Sequence, residues 1–594
     1  MKRDPNSKKP TKLLTSVTAL LLAVGIVADV AMFGVFPSSL DKAFPGQNGD
    51  PELQKTSYAN GLSVAQKIEE EGAVLLKNDG ALPLAGTNRK INLLGYASAN
   101  PVYGGTGSGG SSYTANRTDF VKAFTDAGFE VNQNLVNLYS PKNNEGGNTF
   151  SVDFSIPELP ATEELAKDMG VEYQYTGDCS FEAMKDFSDT AVVVFSRKGG
   201  EGNDLPTSMA ENTSYAPDQS KHYLELNSAE QSLLEQAEAT FDNVIVLINS
   251  GNAMELGFLN DEGVDAALWI GDPGDVGTIG IVNILTGAVN PSGRLPDIYP
   301  YAVETTPSYY NFDTFEYTNS NDCFKNFESH PAYLVEYQEG IYVGYRYFTT
   351  FRKKVAYPFG YGLSYTEFCI RQENIRFDGE VLELDVYVKN VGEKAGKEVV
   401  QVYVGKPESE LEQPEKELVF FEKTKELLPG EEQKIPVHVP VKVLTSYSEE
   451  KAAYILSKGY YRIYVGNSIE AAECGGFDEE ETRIIKQVTN LLCCDCKFTR
   501  LSKTNPDDTW PTGAHSGVVK NKLTFLPYEK RKHYPAKFDM EKPEEKVTFD
   551  AVRKNPSRAA EFVAQMSPEE LARISVCASA GWGMEGIGEA GRVF

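Results

Sequence analysis

Thr190-Ala-Val-Val-Val-Phe195 and Asn243-Val-Ile-Val-Leu-Ile248 flank a helical stretch at 228–240, and this alternation decides the fold. Each is a short, uninterrupted apolar run, which suits a strand buried on both faces rather than one half exposed to water. Ile91-Asn-Leu-Leu-Gly95 and Asp265-Ala-Ala-Leu-Trp-Ile270 repeat the pattern, with further helical segments at 118–127 and 276–287. Strand, helix, strand spacing implies right-handed crossovers, so residues 57–365 read as one α/β domain with a mostly parallel sheet covered on both sides. Residues 57–80 carry helical spacing through Leu62, Ala65, Ile68 and Ala73-Val-Leu-Leu76, up to a turn at Asn78-Asp-Gly80.

From residue 370 the period changes to two, as in Val381-Leu-Glu-Leu-Asp-Val-Tyr-Val388, Val399-Val-Gln-Val-Tyr-Val404 and Tyr460-Tyr-Arg-Ile-Tyr-Val465. Turn signals at Asn390-Val-Gly392 and Pro429-Gly430 separate these runs, so 370–468 reads as an all-β sandwich. Residues 470–546 are mixed, with an acidic run at 478–482 and a basic one at 529–534, and read as a connection. Within 547–594, Ser567-Pro-Glu-Glu570 is a helix start in which Ser caps, Pro takes the first turn and Glu returns the hydrogen bond.

At about 150 residues per domain, the 594 residues imply several structural units. Hydrophobic residues at 41% and charged residues at 24% exclude a wholly disordered or polytopic membrane chain. The net charge of −28 argues against nucleic acid as the main partner, because phosphate backbones demand a basic surface. A basic flank at 1–12 precedes an apolar run, Leu13 to Phe36, that contains the single charge Asp29. The run exceeds the roughly 20 residues of a spanning helix, which predicts a single-pass signal anchor at the cell membrane with the bulk extracellular. A cleaved signal, leaving the protein secreted, is the alternative.

Two glycine-rich stretches follow predicted strands. Gly105-Thr-Gly107-Ser-Gly-Gly110 has the form G-x-G-x-x-G, but about nine residues separate it from its strand and no helix opens until near Thr118. In the dinucleotide fingerprint the glycines form the strand-to-helix turn itself, so a ligand-lining loop at the carboxyl end of the sheet is the better reading. The second stretch is Phe195-Ser-Arg-Lys-Gly-Gly-Glu201-Gly-Asn-Asp204, where Glu201 stands between Lys198 and Asp204 with backbone room for a substrate to approach. The five histidines form no Ser/His/Asp or zinc pattern. Cys493-Cys494-Asp495-Cys496 lacks the second Cys/His pair of a tetrahedral metal site.

Several motifs together resemble glycoside hydrolase family 3, the β-glucosidase family. They are Gly72-Ala-Val-Leu-Leu-Lys-Asn-Asp-Gly-Ala-Leu-Pro-Leu84, Gly287-Ala-Val-Asn-Pro-Ser-Gly-Arg-Leu-Pro296, Glu339-Gly-Ile-Tyr-Val-Gly-Tyr-Arg-Tyr-Phe348 and Tyr357-Pro-Phe-Gly-Tyr-Gly-Leu-Ser-Tyr-Thr366. Pro414-Glu-Lys-Glu-Leu418 and Leu428-Pro-Gly-Glu431 resemble its fibronectin type III-like domain. Glu561-Phe-Val-Ala-Gln-Met-Ser-Pro-Glu-Glu-Leu571 and Gly586-Ile-Gly-Glu-Ala-Gly591 resemble the start of its (β/α)8 barrel, here placed last, as in circularly permuted members.

The resemblance implies a retaining β-glycosidase acting on short β-linked glucosides or xylosides, with no cofactor. It puts the general acid/base on Glu201 and the nucleophile on a barrel Asp, the two carboxyls lying about 5–5.5 Å apart. Leu205 stands where the family often has an Arg. A barrel of about 250 residues is only begun within 547–594, which predicts a truncated chain or a separate chain that supplies the barrel. The alternative is a non-catalytic cell-surface carbohydrate-binding or adhesion protein.

Overall fold

The structure, a computed structural model, describes residues 51–84, 89–107, 110, 117–140, 157–202, 205–210, 212–309, 315–316, 333–334, 337–488, 496–497, 500–504, 524–525, 543–567 and 571. The apolar run 13–36, Asp204, Cys493 to Cys494 and the motif 586–591 lie outside these residues. Among the described residues no helix is long and apolar enough to cross a membrane. The chain forms two units, one of residues 1–58 with 535–594 and one of 59–534.

In the larger unit six strands make one sheet: β1 (Val74–Asn78), β2 (Lys90–Leu94), β3 (Glu130–Val131), β4 (Thr190–Arg197), β5 (Asn243–Ser250) and β6 (Ala266–Trp269). Their spatial order is β1-β6-β5-β4-β2-β3. β3, β2, β4, β5 and β6 run parallel, and β1 runs antiparallel to β6 at the edge. Val192, Val194, Ile245 and Leu247 pack under helices α2 (Phe120–Asp126) and α6 (Gly277–Leu285). Val193, Phe195, Val246 and Ile248 pack under α3 (Gln133–Tyr139), α4 (Phe181–Phe187) and α5 (Ser228–Thr240) on the opposite face. Both faces of each central strand are therefore dry, which is why β4 and β5 are apolar without alternation.

Residues 57–80 are not one helical segment. Helix α1 (Pro51–Gly72) stops at Gly72, and the next residues form β1, with Val74 opposite Trp269 and Leu75 opposite Leu268. Val74, Leu75 and Leu76 are fully buried, and a continuous apolar run of this length fits a buried strand as well as a helix.

The β-sandwich comprises β7 (Phe368–Phe377), β8 (Val381–Asn390), β9 (Val399–Gly405), β10 (Glu417–Lys423), β11 (Glu432–Pro440), β12 (Gly459–Gly466) and β13 (Glu473–Glu479). Sheets β7-β8-β11 and β10-β9-β12-β13 enclose a core of Leu384, Val386, Val400, Val402, Ile435 and Ile463. Residues 473–487, read from sequence as connection, belong to this domain: β13 pairs with β12, and Arg483–Gln487 pairs with Ala453–Leu456. The cause is Phe477, whose ring stacks 4.8 Å from Tyr461 and 4.3 Å from Phe377 inside an otherwise acidic stretch. In the smaller unit, helices Phe549–Lys554 and Ala559–Ala564 are described, the first capped by the Thr548 hydroxyl, which accepts from the Ala551 amide at 3.2 Å. The Ser567 helix start runs into residues 568–570, outside the described set.

Three of the quoted motifs meet at one seam between the α/β domain and the sandwich. The Leu363 amide donates to the Leu75 carbonyl at 2.8 Å, and the Leu295 amide donates to the Tyr361 carbonyl at 2.8 Å. Gly293 lies flat on the turn after α1: a Cβ there would stand 2.3 Å from the Ala73 oxygen and 2.5 Å from that of Gly72. No side chain fits in so close an approach. Charged groups complete the seam. Arg294 pairs with Glu398, which also accepts from the Asn467 side chain at 3.0 Å, while Lys423 bonds Glu71 at 2.9 Å and Ser292 at 3.0 Å. Burial pulls the Glu71 carboxyl up, yet the hydrogen bonds from Lys397 and Lys423 prevail and hold it below the usual range.

Glu398 is almost fully buried. Glu398→Ala leaves Arg294 facing the seam without its counter-charge, and removing one member of a buried pair costs about 3–5 kcal/mol. Urea unfolding followed by circular dichroism should show that loss; a change below about 1 kcal/mol would mean that the seam does not depend on the pair.

Candidate active site

The strand order fixes where a ligand can approach. From β2 the chain steps outward to β3, then returns across β2 to β4 and continues through β5 to β6. The helix after β2 lies on one face and the helix after β4 on the other. The crevice at the topological switch point therefore falls between the carboxyl ends of β2 and β4, where open α/β sheets bind ligands. Both glycine-rich stretches singled out in the sequence emerge there. A short helix, Tyr96–Ala99, opens directly after β2 and ahead of the glycine-rich stretch, where the sequence reading expected none before Thr118, and α2 begins at Phe120, capped by Asp119.

The two loops touch. The Thr106 hydroxyl donates to the Glu201 backbone oxygen at 2.9 Å. A Cβ on Gly105 would meet the Gly199 oxygen at 3.0 Å, and one on Gly200 would meet the Thr106 nitrogen at 2.7 Å. Glu201 itself is exposed, with one side of its side chain against Gly107. Its neighbour Asp204 lies outside the described residues, and Leu205 packs against Gly199.

Arg197, the last residue of β4, anchors the loop from below. Its guanidinium is fully buried and makes a two-pronged pair with Glu230, 2.7 Å at each contact. The Arg197 Nε–H also donates to the Tyr223 carbonyl, and a further N–H to that of Glu225. Glu230 serves two structures at once, because its carboxylate also accepts from the Asn227 amide at 2.9 Å and closes the capping box of α5. The end of β4 is thereby tied to the start of α5.

Three features of the crevice were not visible from the sequence. Asn249, buried at the end of β5, accepts from the Val102 amide at 2.7 Å and donates to the carbonyls of Val102 at 2.9 Å and Gly271 at 2.7 Å. Asp272 follows β6; burial pushes its carboxyl up to about 6, against the pull of Lys198 and of the Gly251 amide. Glu158 is buried beside a cavity of about 130 Å³ that Tyr96, Asn100, Ser196 and Lys198 also line. Burial pushes Glu158 up to about 8, although the amides of Tyr96 and Leu159 donate to it. The only sequence signal for Asn249 and Asp272 is that each lies at or just beyond the end of a buried apolar run, close to a glycine. Among the described residues no group of three or more His, Cys, Asp or Glu could hold a metal ion. His222 is occupied locally, its Nδ1 accepting from the Leu224 amide at 3.1 Å.

A buried carboxyl whose folded pKa is raised stabilises the fold fully below its unfolded pKa, near 4.5 for Glu158, and that contribution is lost as pH rises through about 8. The urea midpoint should therefore fall between pH 5 and about pH 8.5, and Glu158→Gln should flatten this dependence. Equal pH profiles for the two proteins would show that Glu158 ionises as freely folded as unfolded.

Comparison with known proteins places both domains. Residues 73–345 match the glycosyl hydrolase family 3 C-terminal domain, and residues 398–469 match the fibronectin type III-like domain. The chain is 31% identical over 489 residues to a beta-glucosidase of Ruminococcus albus, covering 80% of this chain and 47% of that protein. It is 28% identical over 596 residues to beta-glucosidase A of Butyrivibrio fibrisolvens, covering 89% of this chain and 66% of that one. The chain thus spans about half to two thirds of the curated relatives it matches. Among solved structures, a beta-glucosidase from Paenibacillus barengoltzii aligns with a TM-score of 0.65 at 28% identity, over 86% of this chain and 54% of that one. Beta-glucosidase 3B from Thermotoga neapolitana, in complex with alpha-D-glucose, aligns at 0.60 and 30% identity, over 74% and 56%. The sheet that carries the crevice thus lies within the residues that match the glycosyl hydrolase family 3 C-terminal domain, and the sandwich after it carries the match to the fibronectin type III-like domain.

Proposed function

We propose that this chain belongs to a retaining β-glycosidase that hydrolyses short β-linked glucosides or xylosides, with Glu201 as its general acid/base. The observation that carries the reading is the meeting of two glycine-rich loops on Glu201 at the switch point of a domain matched to glycosyl hydrolase family 3. The beta-glucosidase relatives support the substrate class.

In the first step Glu201 gives its proton to the glycosidic oxygen while the bond from that oxygen to the anomeric carbon breaks. A carboxylate on the opposite face of the sugar forms the new bond to that carbon. In the second step water attacks the same carbon, its bond to the opposing carboxylate breaks, Glu201 takes the proton from that water, and the sugar leaves with its configuration retained. The opposing carboxylate is proposed to be an Asp of a (β/α)8 barrel, to which the motifs in 547–594 contribute in a permuted order. The basic flank 1–12 and the apolar run 13–36 support placement at or beyond the cell membrane, facing outward.

The test uses the intact native protein. Glu201→Gln should lower kcat/KM on methyl β-glucoside by about 10²–10⁴-fold. On dinitrophenyl β-glucoside, whose leaving group needs no proton, the first step should be nearly unaffected. Unchanged turnover of the methyl glucoside, or a native protein that leaves β-glucosides and β-xylosides intact, would refute the assignment.

A further inference from the structure

We infer that the 102–107 loop is a positioning element for the Glu201 side chain, acting through Thr106 and Gly107. This inference rests on the acid/base role given to Glu201 above.

Glu201 stands on a loop in which Gly199, Gly200 and Gly202 surround it, and it is exposed. Such a backbone has little stiffness of its own. A proton donor must nevertheless be held in near-attack geometry, since displacement of about 1 Å can cost about a hundredfold in rate. The stiffness comes from outside the loop. Thr106 is buried, and its hydroxyl holds the Glu201 carbonyl at 2.9 Å, which fixes the backbone from which the carboxyl projects. Gly107 then supplies the surface against which the side chain lies. A Cβ there would stand 2.7 Å from the Glu201 Cβ, 3.0 Å from its Cδ and 2.6 Å from its Oε2. The contact thus runs along the whole length of the side chain. Gly107 also has a φ of +61°, a conformation that other residues adopt only with strain.

The loop is itself held by two neighbouring strands. Asn249, at the end of β5, bonds both backbone groups of Val102, and the Tyr103 carbonyl accepts from the Gly274 amide beyond β6 at 2.9 Å. Position is thereby carried from the rigid centre of the sheet, through the loop, to Glu201. Within the stretch that resembles a nucleotide-binding fingerprint, Gly105 thus lies where a second loop packs against its backbone, and Gly107 makes room for a carboxylate.

The experiment compares kcat/KM on methyl β-glucoside and dinitrophenyl β-glucoside for the intact native protein and for Thr106→Val, Thr106→Ser, Gly107→Ala and Glu201→Gln. A displaced acid/base slows the substrate that needs its proton and spares the one that does not. Thr106→Val should lose about tenfold on the methyl glucoside and little on the other; Thr106→Ser should restore the rate, and Gly107→Ala should lose about a hundredfold with the same selectivity. Equal losses of Thr106→Val on both substrates, or no loss on either, would overturn the inference; that near-isosteric variant decides the matter if Gly107→Ala does not fold. If Glu201→Gln shows leaving-group selectivity and the loop variants do not, only the positioning role fails. If Glu201→Gln itself shows none, the acid/base assignment fails and this inference with it.

Discussion

The buried pair between Arg197 and Glu230 is the constraint on which the crevice depends. A guanidinium with no exposure is tolerated only where its charge is matched and its remaining N–H groups are satisfied, and here one carboxylate and three carbonyls, those of Ser196, Tyr223 and Glu225, do this. Because the same carboxylate caps α5, the pair locks a strand end to a helix start. The loop bearing Glu201 leaves from that locked end, so a flexible glycine-rich segment begins from a fixed origin. Asn249 plays a parallel part on the neighbouring strand, using its amide instead of a charge.

The seam between the two domains shows a different use of glycine and charge. The most recognisable motifs of the chain, around Gly72, Gly293 and Tyr361, do not surround the crevice; they meet where the sandwich joins the sheet. Their residue types follow from close backbone approach and from a set of partly buried ion pairs that cannot be dissolved singly. What makes the family resemblance strong is therefore largely architecture. The proposed chemistry rests on the less conspicuous loops after β2 and β4.

The raised carboxyls around the crevice are consistent with the same economy of water. Glu158 and Asp272 are both driven up first by burial, with nearby donors and cations only partly restoring the charged form. The acidic composition of the chain thus hides two kinds of carboxylate: those solvated on the surface, and a few that the fold holds in dry surroundings beside its candidate site.

Much of the architecture was legible because burial on both faces forces unbroken apolar runs. β2, β4, β5 and β6 stand where such runs occur, and β8, β9 and β12 of the sandwich stand at the three runs read with period two. β1 was misread because Val74 to Leu76 lack any alternation, and β13 was missed because one aromatic, Phe477, carries the packing of an acidic stretch. Glu201 could be singled out by its glycine neighbours, whereas Thr106, Asn249 and Asp272 could not. By itself the sequence determined which segments become strands and helices, since local composition and period report burial. Only the tertiary structure decided which loops meet, because the contact of Gly107 with Glu201 joins residues 94 positions apart and depends on β2 and β4 becoming neighbours in the sheet.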